Sequence, residues 1–423
     1  VRVWAPGAKT VDVLPEEGGR RKAESAAVEG VFEAGVEGGD RAPRYRVVVD
    51  GVERDDTYRF LPVRSDAELA RLTRPDGRVH EVLGAHTTEM DGVEGTVFAV
   101  WAPAARAVSI VGSFNGWHPT AHPMRARGST GVWELFVPGV GADTLYKYRI
   151  LGRGKDIPQL KSDPCGRAMQ LRPDTASIVP DRSGWTWSDA AWIEDRSVRL
   201  EEQRPVSIYE VHLSSWRRRE GARPRDGEPG WLDYRALADE LIPYVADLGF
   251  THIELMPVTE HPYDGSWGYQ TVGYFAPTAR HGDADGLRYL VDGAHAEGIG
   301  VILDWVPAHF PRDPHGLGRF DGTALYEHAD PRRGVHPDWG TYIFNYARPQ
   351  VVAFLVSSAL YWIEEFHMDG LRLDAVASML YLDYSRDEGA WVPNQFGGHE
   401  NIEAAAFLRT LSDTIHAEHP GVT

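Results

Sequence analysis

Two charged residues late in the chain have the spacing of a reactive pair. Arg372 and Asp374 are two positions apart within Gly-Leu-Arg-Leu-Asp at 370–374, a run typical of a short strand. Side chains two apart on a strand point to the same face, so the guanidinium would lie beside the carboxylate and stabilise its ionised form. An oriented, ionised carboxylate is the nucleophile that covalent glycosyl transfer requires. The alternative interpretation is an ion pair that only closes the end of a strand.

Three further residues follow other strand-like runs. Asp304 ends the run 299–304, His309 comes five positions later, and Tyr269 lies in a polar loop after the run 251–257. Asp304 can brace Arg372, His309 can donate to a sugar hydroxyl, and Tyr269 can stack beneath a sugar ring. The alternatives are a solvated loop histidine and ordinary loop packing for the tyrosine.

The elements that would position these residues alternate between strand and helix. Strand-like runs begin at residues 206, 251, 299 and 370, with helical patterns between them. This alternation predicts βα units and a parallel sheet. Gly249 and Gly298 stand where a left-handed residue would end the first two helices. Four such units form one half of an eight-stranded barrel or, alternatively, a small doubly wound sheet. The charged residues at the strand ends favour the barrel, whose active sites lie at that rim.

An internal repeat occupies the first 185 residues. Residues 1–8 recur at 98–105, residues 30–33 at 131–134, and residues 45–47 at 148–150. Short alternating runs between Gly/Pro turns indicate strands, so the repeat predicts two tandem β-sandwiches.

The predicted fold class is therefore multidomain. An N-terminal β-sandwich is expected at 1–75 and a second one at 85–190. The first half of a (β/α)8 TIM barrel, four βα units, is expected at 204–423.

Composition limits the possible partners. The chain has 44 Lys and Arg against 62 Asp and Glu, a formal charge of −18, which argues against nucleic acid and anionic membranes. No apolar run is long enough to span a bilayer. The single cysteine, Cys165, excludes a disulfide within the chain and favours a reducing, cytoplasmic compartment. The 14 tryptophans suit a neutral sugar partner, although most aromatic residues belong to cores.

The motifs resemble those of the α-amylase clan of retaining glycosidases. The segment 304–309 is similar to the first conserved region of that clan, and 370–374 is similar to its second, with Asp374 at the nucleophile position. Long runs at 207–213, 260–270, 326–334 and 375–386 are similar to bacterial glycogen (1,4-α-glucan) branching enzymes. The resemblance implies cleavage of α-1,4 linkages through a glycosyl-aspartate and transfer to a glucan 6-hydroxyl in glycogen biosynthesis. It implies neither a metal nor an organic cofactor.

The resemblance also implies residues that bind α-glucan. Trp267, in the run 260–270, is expected to contact substrate. Residues 114–117, Phe-Asn-Gly-Trp, look like the signature of a starch-binding sandwich. Trp117, Trp133 and Lys147 are then its expected glycan contacts. Core packing is the alternative for each tryptophan.

One departure from the family pattern concerns the second carboxylate. Retaining enzymes need an acid/base carboxyl roughly 5 Å from the nucleophile, which in this family is a glutamate ending the fifth barrel strand. The chain ends at 419–423, where that strand would begin. We therefore expect that both ends of the sequence are cuts and that this fragment does not branch glucans. We also expect the apolar runs 301–303 and 354–356 to lose part of their packing partners.

Two rival interpretations stay open at the level of sequence. The first is a hydrolase of the same clan, such as a debranching enzyme or a trehalohydrolase, although the run 260–270 favours branching. The second is a glycan-binding fragment without catalysis, because the acid/base glutamate is not within these 423 residues.

Overall fold

The computed structural model describes residues 1–36, 44–181, 184–201, 204–219, 221 and 229–423. Strands dominate the first 180 residues, and strands alternate with helices from residue 208 onward. The strands of the described residues are β1 (Arg2–Trp4), β2 (Val11–Pro15), β3 (Arg21–Lys22), β4 (Glu24–Ser25), β5 (Val31–Glu33), β6 (Tyr45–Val49), β7 (Val52–Asp55), β8 (Gly84–Met90), β9 (Val93–Trp101), β10 (Ala105–Gly112), β11 (Arg125–Ala126), β12 (Val132–Pro138), β13 (Leu145–Gly152), β14 (Gln159–Lys161), β15 (Ser177–Ile178), β16 (Ile208–Val211), β17 (His252–Leu255), β18 (Thr259–Glu260), β19 (Gly273–Pro277), β20 (Gly300–Trp305), β21 (His309–Phe310), β22 (Tyr342–Ile343) and β23 (Gly370–Leu373). The helices are α1 (Asp66–Ala70), α2 (Val79–Val82), α3 (Ala190–Glu201), α4 (Leu213–Trp216), α5 (Tyr234–Asp247), α6 (Ala284–Ala296), α7 (Pro331–Gly334), α8 (Pro349–Phe366), α9 (Val376–Leu380) and α10 (Ile402–Glu418).

The N-terminal strands form two antiparallel sheets around a small core of their own. The sheets have the orders β1-β5-β4 and β3-β2-β6-β7. Buried residues from both sheets, including Val3, Val13, Phe32 and Val47, share one apolar cluster. Alternation of buried and exposed residues along β2 places Val11 and Val13 on the inner face, as a period of two requires.

The next strands repeat this arrangement on a larger scale. One sheet has the order β11-β12-β9-β8, and the other has β10-β13-β14 with β15 also paired to β13. The sequence repeat corresponds to equivalent pairings in the two parts. The amide of Ala5 donates to the carbonyl of Gly30 over 2.8 Å, and the amide of Ala102 donates to that of Gly131 over 2.9 Å. The similarity of the two segments therefore extends to single hydrogen bonds.

A four-stranded parallel sheet positions the charged residues. Its order is β16-β17-β20-β23, and all three pairings are parallel. Helices α5, α6 and α8 connect the strands, and the buried face of α6 carries Leu287, Leu290 and Val291. The predicted left-handed glycines after the first two of these helices are confirmed, since Gly249 and Gly298 both have φ of 77°.

The prediction that apolar runs would lose their partners is wrong. Residues 301–303 and 354–356 are all buried. Strand β20 is central, because β17 and β23 flank it, and the indole N–H of Trp305 at its end donates to Ser358 of α8 over 3.2 Å. Beyond β23, the amide of Leu371 donates to the carbonyl of Thr423 over 2.9 Å, and the amide of Thr423 donates to that of Asp369 over 3.0 Å. The last residue of the chain thus pairs with the outer edge of β23.

The sequence patterns did not indicate the connecting helices α1, α2 and α3. Helix α3 packs near the N-terminal ends of the parallel strands, where Arg196 donates to Asp369 over 2.9 Å. The second pair of sheets contacts the loop before α7 through the buried Lys161, whose ammonium donates to the carbonyls of Gly316 and Gly318. Within the described residues, no helix is both long and apolar enough to cross a membrane.

Candidate active site

The C-terminal ends of the four parallel strands meet along one edge of the sheet. Asp304 lies in β20, Arg372 lies beside it in β23, and the two are register partners. Asp374 follows the last residue of β23, and its amide donates to the carbonyl of Trp305 over 3.1 Å. Neighbouring strands in register therefore gather these charged groups.

Asp304 anchors the centre of the site. Its side chain is almost completely buried, with 1% exposed. The hydroxyl of Tyr269 donates to Asp304 Oδ2 over 2.6 Å, and Arg372 Nη1 donates to both carboxylate oxygens over 2.9 and 3.0 Å. Asp304 thus fixes the tyrosine and the guanidinium relative to each other.

The Asp374 carboxylate contacts two donors. Arg372 Nη1 donates to its Oδ1 over 3.1 Å, and His309 Nε2 lies 3.6 Å from its Oδ2. The following residue, Ala375, has a left-handed φ of 56°, so the chain turns sharply after the carboxylate. Asp374 therefore directly follows a strand, with one carboxylate oxygen hydrogen-bonded to Arg372 and the other near His309.

Burial dominates the electrostatics of this cluster. It raises the pKa of Asp304 to about 6, and the hydrogen bonds from Tyr269 and Arg372 oppose that shift. Burial also raises the pKa of Tyr269, and its hydrogen bond to Asp304 adds to the effect. The pKa of Arg372 is raised although burial opposes this, because Asp304 accepts its hydrogen bonds. The tyrosine stays protonated and the arginine stays charged at neutral pH.

Other carboxylates share this face of the sheet. Glu210 and Glu254 are register partners on β16 and β17. Burial raises the pKa of Glu254, and the neighbouring Glu210 raises it further. Among the described residues, no glutamate lies within hydrogen-bond distance of Asp374.

Four other glutamates from residue 364 onward have partners away from the site. Glu364 pairs with Arg78, Glu365 with Arg288, Glu403 with Arg333, and Glu400 lies against His399. Glu364 also belongs to a group with Glu418 and His419 whose possible ligand atoms lie within 4.8 Å of one another. Arg78 donates to both of those glutamates, so this cluster is an ion-pair network.

Trp267 is two residues before Tyr269 in the sequence but lies on a different surface. It is 57% exposed and has a left-handed φ of 55°. Its ring is 6.0 Å from that of His212, which follows β16. Both rings line a cleft of about 470 Å³ together with Trp231, Arg172 and Arg280. The structure thus places Trp267 in this cleft, whose lining includes none of Tyr269, Asp304, His309, Arg372 and Asp374.

The three residues expected to bind glycan in the sandwich do not form one contact group. Trp117 follows β10 and is 40% exposed. Trp133, on β12, is partly buried, and its indole N–H donates to the carbonyl of Ala102 over 3.1 Å. Lys147 lies on β13, which belongs to the other sheet, and its ammonium donates to the hydroxyl of Thr175. Only Trp117 presents a large uncovered aromatic surface.

Sequence reasoning missed an aromatic group next to His309. The ring of Trp339 lies 5.0 Å from that of His309, and His336 stacks on Trp339 at 3.7 Å. One signal was available, because Trp339 is the only tryptophan in residues 306–348, which connect β20 to α8. The periodicity of that loop gave no reason to place it at the site.

Comparison with known families defines the class of protein. Residues 82–166 match carbohydrate-binding module 48 (isoamylase N-terminal domain), and residues 227–316 match the alpha amylase catalytic domain. A crystal structure from Salmonella typhimurium, described provisionally as an alpha amylase, is similar with a TM-score of 0.53 and 26% identity, covering 70% of this chain and 44% of that one. The chain thus combines a carbohydrate-binding module with an α-amylase-type catalytic domain.

Curated relatives identify the family within this class. The chain is 55% identical to the 1,4-alpha-glucan branching enzyme GlgB of Rubrobacter xylanophilus, over 100% of this chain and 58% of that protein. It is 57% identical to GlgB of Methylococcus capsulatus, over 87% of this chain and 49% of that protein. It is 53% identical to GlgB of Thermobifida fusca, over 100% of this chain and 56% of that protein. The chain belongs to the family of 1,4-alpha-glucan branching enzymes, as its motifs indicated, and spans about half the length of these relatives.

Proposed function

We propose that this chain carries the nucleophile and its positioning residues in a protein that branches 1,4-α-glucans. The observation that carries the proposal is the placement of Asp374 at a strand end, between Arg372 and His309. The curated relatives are named for the same activity. The substrate would be an α-glucan such as glycogen or amylose, which is neutral and therefore compatible with the negative charge of the chain.

The reaction exchanges one linkage for another. An oxygen of Asp374 attacks C1 of a glucosyl unit, the C1–O4 bond breaks, and O4 takes up a proton from a general acid. The glucan chain is then an ester of Asp374. The 6-hydroxyl of another glucan attacks C1, gives its proton to the conjugate base and releases the carboxylate. An α-1,4 linkage is lost and an α-1,6 linkage is gained.

The other residues of the cluster would prepare this step. Arg372 orients Asp374 and favours its ionised form, while Asp304 holds both Arg372 and Tyr269. The ring of Tyr269 would support the reacting sugar, and His309 would donate to one of its hydroxyls. The family resemblance assigns the general acid to a glutamate that ends a fifth strand. No metal or organic cofactor takes part in these steps.

The proposed architecture places this site at the rim of a barrel. The sequential parallel order of β16, β17, β20 and β23 supports the first half of a (β/α)8 barrel at 204–423. The paired antiparallel sheets support two β-sandwiches, at 1–75 and 85–190. Trp117, Trp133 and Lys147 would bind glucan on the second sandwich, and Trp267 would bind it in the cleft that it lines with His212. We propose a reducing, cytoplasmic location because the single cysteine, Cys165, cannot form a disulfide within the chain.

The test uses the protein from the complete reading frame that contains these residues. Incubation with amylose, followed by enzymatic debranching and chain-length analysis, should reveal new α-1,6 linkages. Asp374→Asn should lower the rate by about 10⁴-fold or more, because it removes the nucleophile. Asp413→Asn, on the exposed face of α10, is the matched control and should leave the rate unchanged. Release of reducing ends without α-1,6 linkages would favour a hydrolase, and an active Asp374→Asn variant would refute the assignment of the nucleophile.

A further inference from the structure

A partly exposed aromatic ring continues the line of side chains at the site. The contacts run from Tyr269 through Asp304 and Arg372 to Asp374. Beyond Asp374, His309 contacts the carboxylate on one side and the ring of Trp339 on the other. Trp339 is 41% exposed, whereas His309 is buried. Its ring is thus the exposed end of this line of contacts, one side chain away from Asp374.

The Trp339 ring is held from behind. His336 stacks on it with a centroid distance of 3.7 Å and an interplanar angle of 13°. His336 is only 2% exposed, and within the described residues neither of its ring nitrogens has a hydrogen-bond partner. Burial lowers the pKa of His336 to about 4, so at neutral pH this ring is an uncharged support for the indole.

The backbone around Trp339 is also fixed. The amide of His336 donates to the carbonyl of Thr341 over 2.9 Å, and the amide of Gly340 donates to that of His336 over 3.1 Å. Gly340 has a φ of 64°, a conformation that glycine adopts readily. This closed turn presents the indole in one orientation. A fixed aromatic surface loses little conformational entropy when a ligand covers it.

We propose that Trp339 is a stacking platform for a glucosyl unit adjacent to the one that Asp374 attacks. This inference rests on the proposed function and adds a residue that determines how the glucan is positioned. A sugar presents a face of C–H groups, and a flat indole covers such a face without a charge. Large aromatic residues usually bury most of their surface, so an exposed and rigidly backed indole beside a reactive carboxylate indicates a binding role. The rival explanation is that Trp339 only shields His309 from water.

Site-resolved fluorine NMR tests the contact directly. The chain is labelled with 5-fluorotryptophan, and the spectrum of Trp339→Phe identifies the resonance of Trp339 by its loss. Addition of maltoheptaose should shift that resonance, whereas cellohexaose, with β-1,4 linkages, should not. A Trp339 resonance that stays fixed at saturating maltoheptaose would refute the platform. This measurement does not depend on the folding of any alanine variant.

Kinetics of the protein from the complete reading frame provide the second test. Trp339→Ala should lower kcat/KM for amylose by about 10- to 100-fold, as loss of an aromatic anchor does. Trp339→Phe should recover most of this loss, since it restores an aromatic face. Tyr244→Ala, on the outer face of α5, is the control for removal of a half-exposed ring and should keep the kcat/KM of the unaltered protein.

The two hypotheses fail in different ways. If the unaltered protein forms α-1,6 linkages and Trp339→Ala does so equally well, the platform is wrong and the proposed function stands. If the unaltered protein only hydrolyses amylose but the Trp339 resonance shifts, branching is wrong and the platform stands. If maltoheptaose leaves the resonance unshifted and the unaltered protein neither branches nor hydrolyses amylose, both are refuted.

Discussion

Arg372 is the residue on which the geometry of the candidate site depends most. One of its nitrogens, Nη1, donates to Asp304 and to Asp374. The guanidinium therefore separates two carboxylates that would otherwise repel each other, and its raised pKa means that it carries a charge at any accessible pH. Burial of Asp304 makes this arrangement rigid, because an unpaired charge there would cost several kcal/mol.

Replacement of Arg372 by lysine tests whether a positive charge alone is sufficient or the shape of the guanidinium is also required. Lysine keeps the positive charge, but its rotatable ammonium on a different stem does not reproduce the position and fixed in-plane N–H directions of Nη1 between the two carboxylates. In the protein from the complete reading frame we expect Arg372→Lys to lower kcat for branching about 10²-fold with little change in KM, since a small misplacement of a reacting group has an effect of this size.

Steady-state kinetics on amylose provide the measurement. Arg332→Lys, an exposed arginine paired with Asp330, is the control and should behave as the unaltered protein. An unchanged kcat for Arg372→Lys would mean that Asp374 does not depend on the guanidinium for its orientation.

At the scale of elements, the two ends of the parallel sheet have different roles. The C-terminal ends carry the reactive cluster. Near the N-terminal ends, His295 on α6 lies between two carboxylates, with Nδ1 2.7 Å from Asp189 and Nε2 2.9 Å from Asp369. Arg196 of α3 also donates to Asp369, and His367 donates to Asp189. This buried network connects α3, α6 and the turn before β23.

The protonation of His295 should make stability depend on pH. Burial alone would lower the pKa of His295, but the hydrogen bonds to Asp189 and Asp369 outweigh it, and the pKa is raised. The stabilisation is therefore complete below the unfolded pKa of about 6.5 and is lost as pH rises through the higher folded value. Burial opposes ionisation of Asp369, yet the hydrogen bond and charge of His295 hold its pKa at about 2. That part of the stabilisation is present above about pH 4 and is lost as pH falls towards 2.

His295→Ala should destabilise the chain by about 3–5 kcal/mol at pH 6, because it leaves two buried carboxylates without their shared partner. Urea unfolding monitored by circular dichroism measures the loss. His416→Ala, on the exposed face of α10, is the control and should change stability by less than about 0.5 kcal/mol. His295→Gln should remove the decrease in stability above pH 6.5, and a decrease that persists in this variant would assign it to another group.

At the scale of the whole molecule, the second pair of sheets packs closely against the catalytic part. Gly152, the last residue of β13, shows how tight the contact is. A Cβ atom there would lie 2.5 Å from the carbonyl oxygen of Asp321 and 2.8 Å from the Cα of Gly322. The amide of Ala104 donates to the carboxylate of Asp321 over 2.8 Å in the same region. The carbohydrate-binding module is therefore held directly against the loops that follow β20.

Gly152→Ala should weaken this contact. We expect a loss of about 1–3 kcal/mol, because backbone on both sides must move to admit one methyl group. Differential scanning calorimetry should show a lower melting temperature. Gly141→Ala is the matched control, since a Cβ at Gly141 meets nothing within 4 Å, and its melting temperature should hardly change. Equal melting temperatures for the two variants would show that the backbone around Gly152 can move to admit a methyl group without loss of stability.

Local spacing by itself determined a large part of this protein. Arg372 and Asp374 share a face because side chains alternate along a strand, and the glycines after α5 and α6 end those helices because few other residues adopt a left-handed backbone. The internal repeat predicted paired sheets, and the long motifs indicated the family. Each of these inferences depends on residues that are neighbours in sequence.

Only the tertiary structure decided which distant groups meet. The contact of His309 with Asp374, the indole of Trp339 beside His309, and the pairing of His295 with two aspartates all join separate loops or helices. The same holds for the burial of 301–303, for which the sequence had predicted a loss of packing partners. No periodicity relates such residues, because their distances are set by how long connections fold back over the sheet and by which side chains fill the space between them.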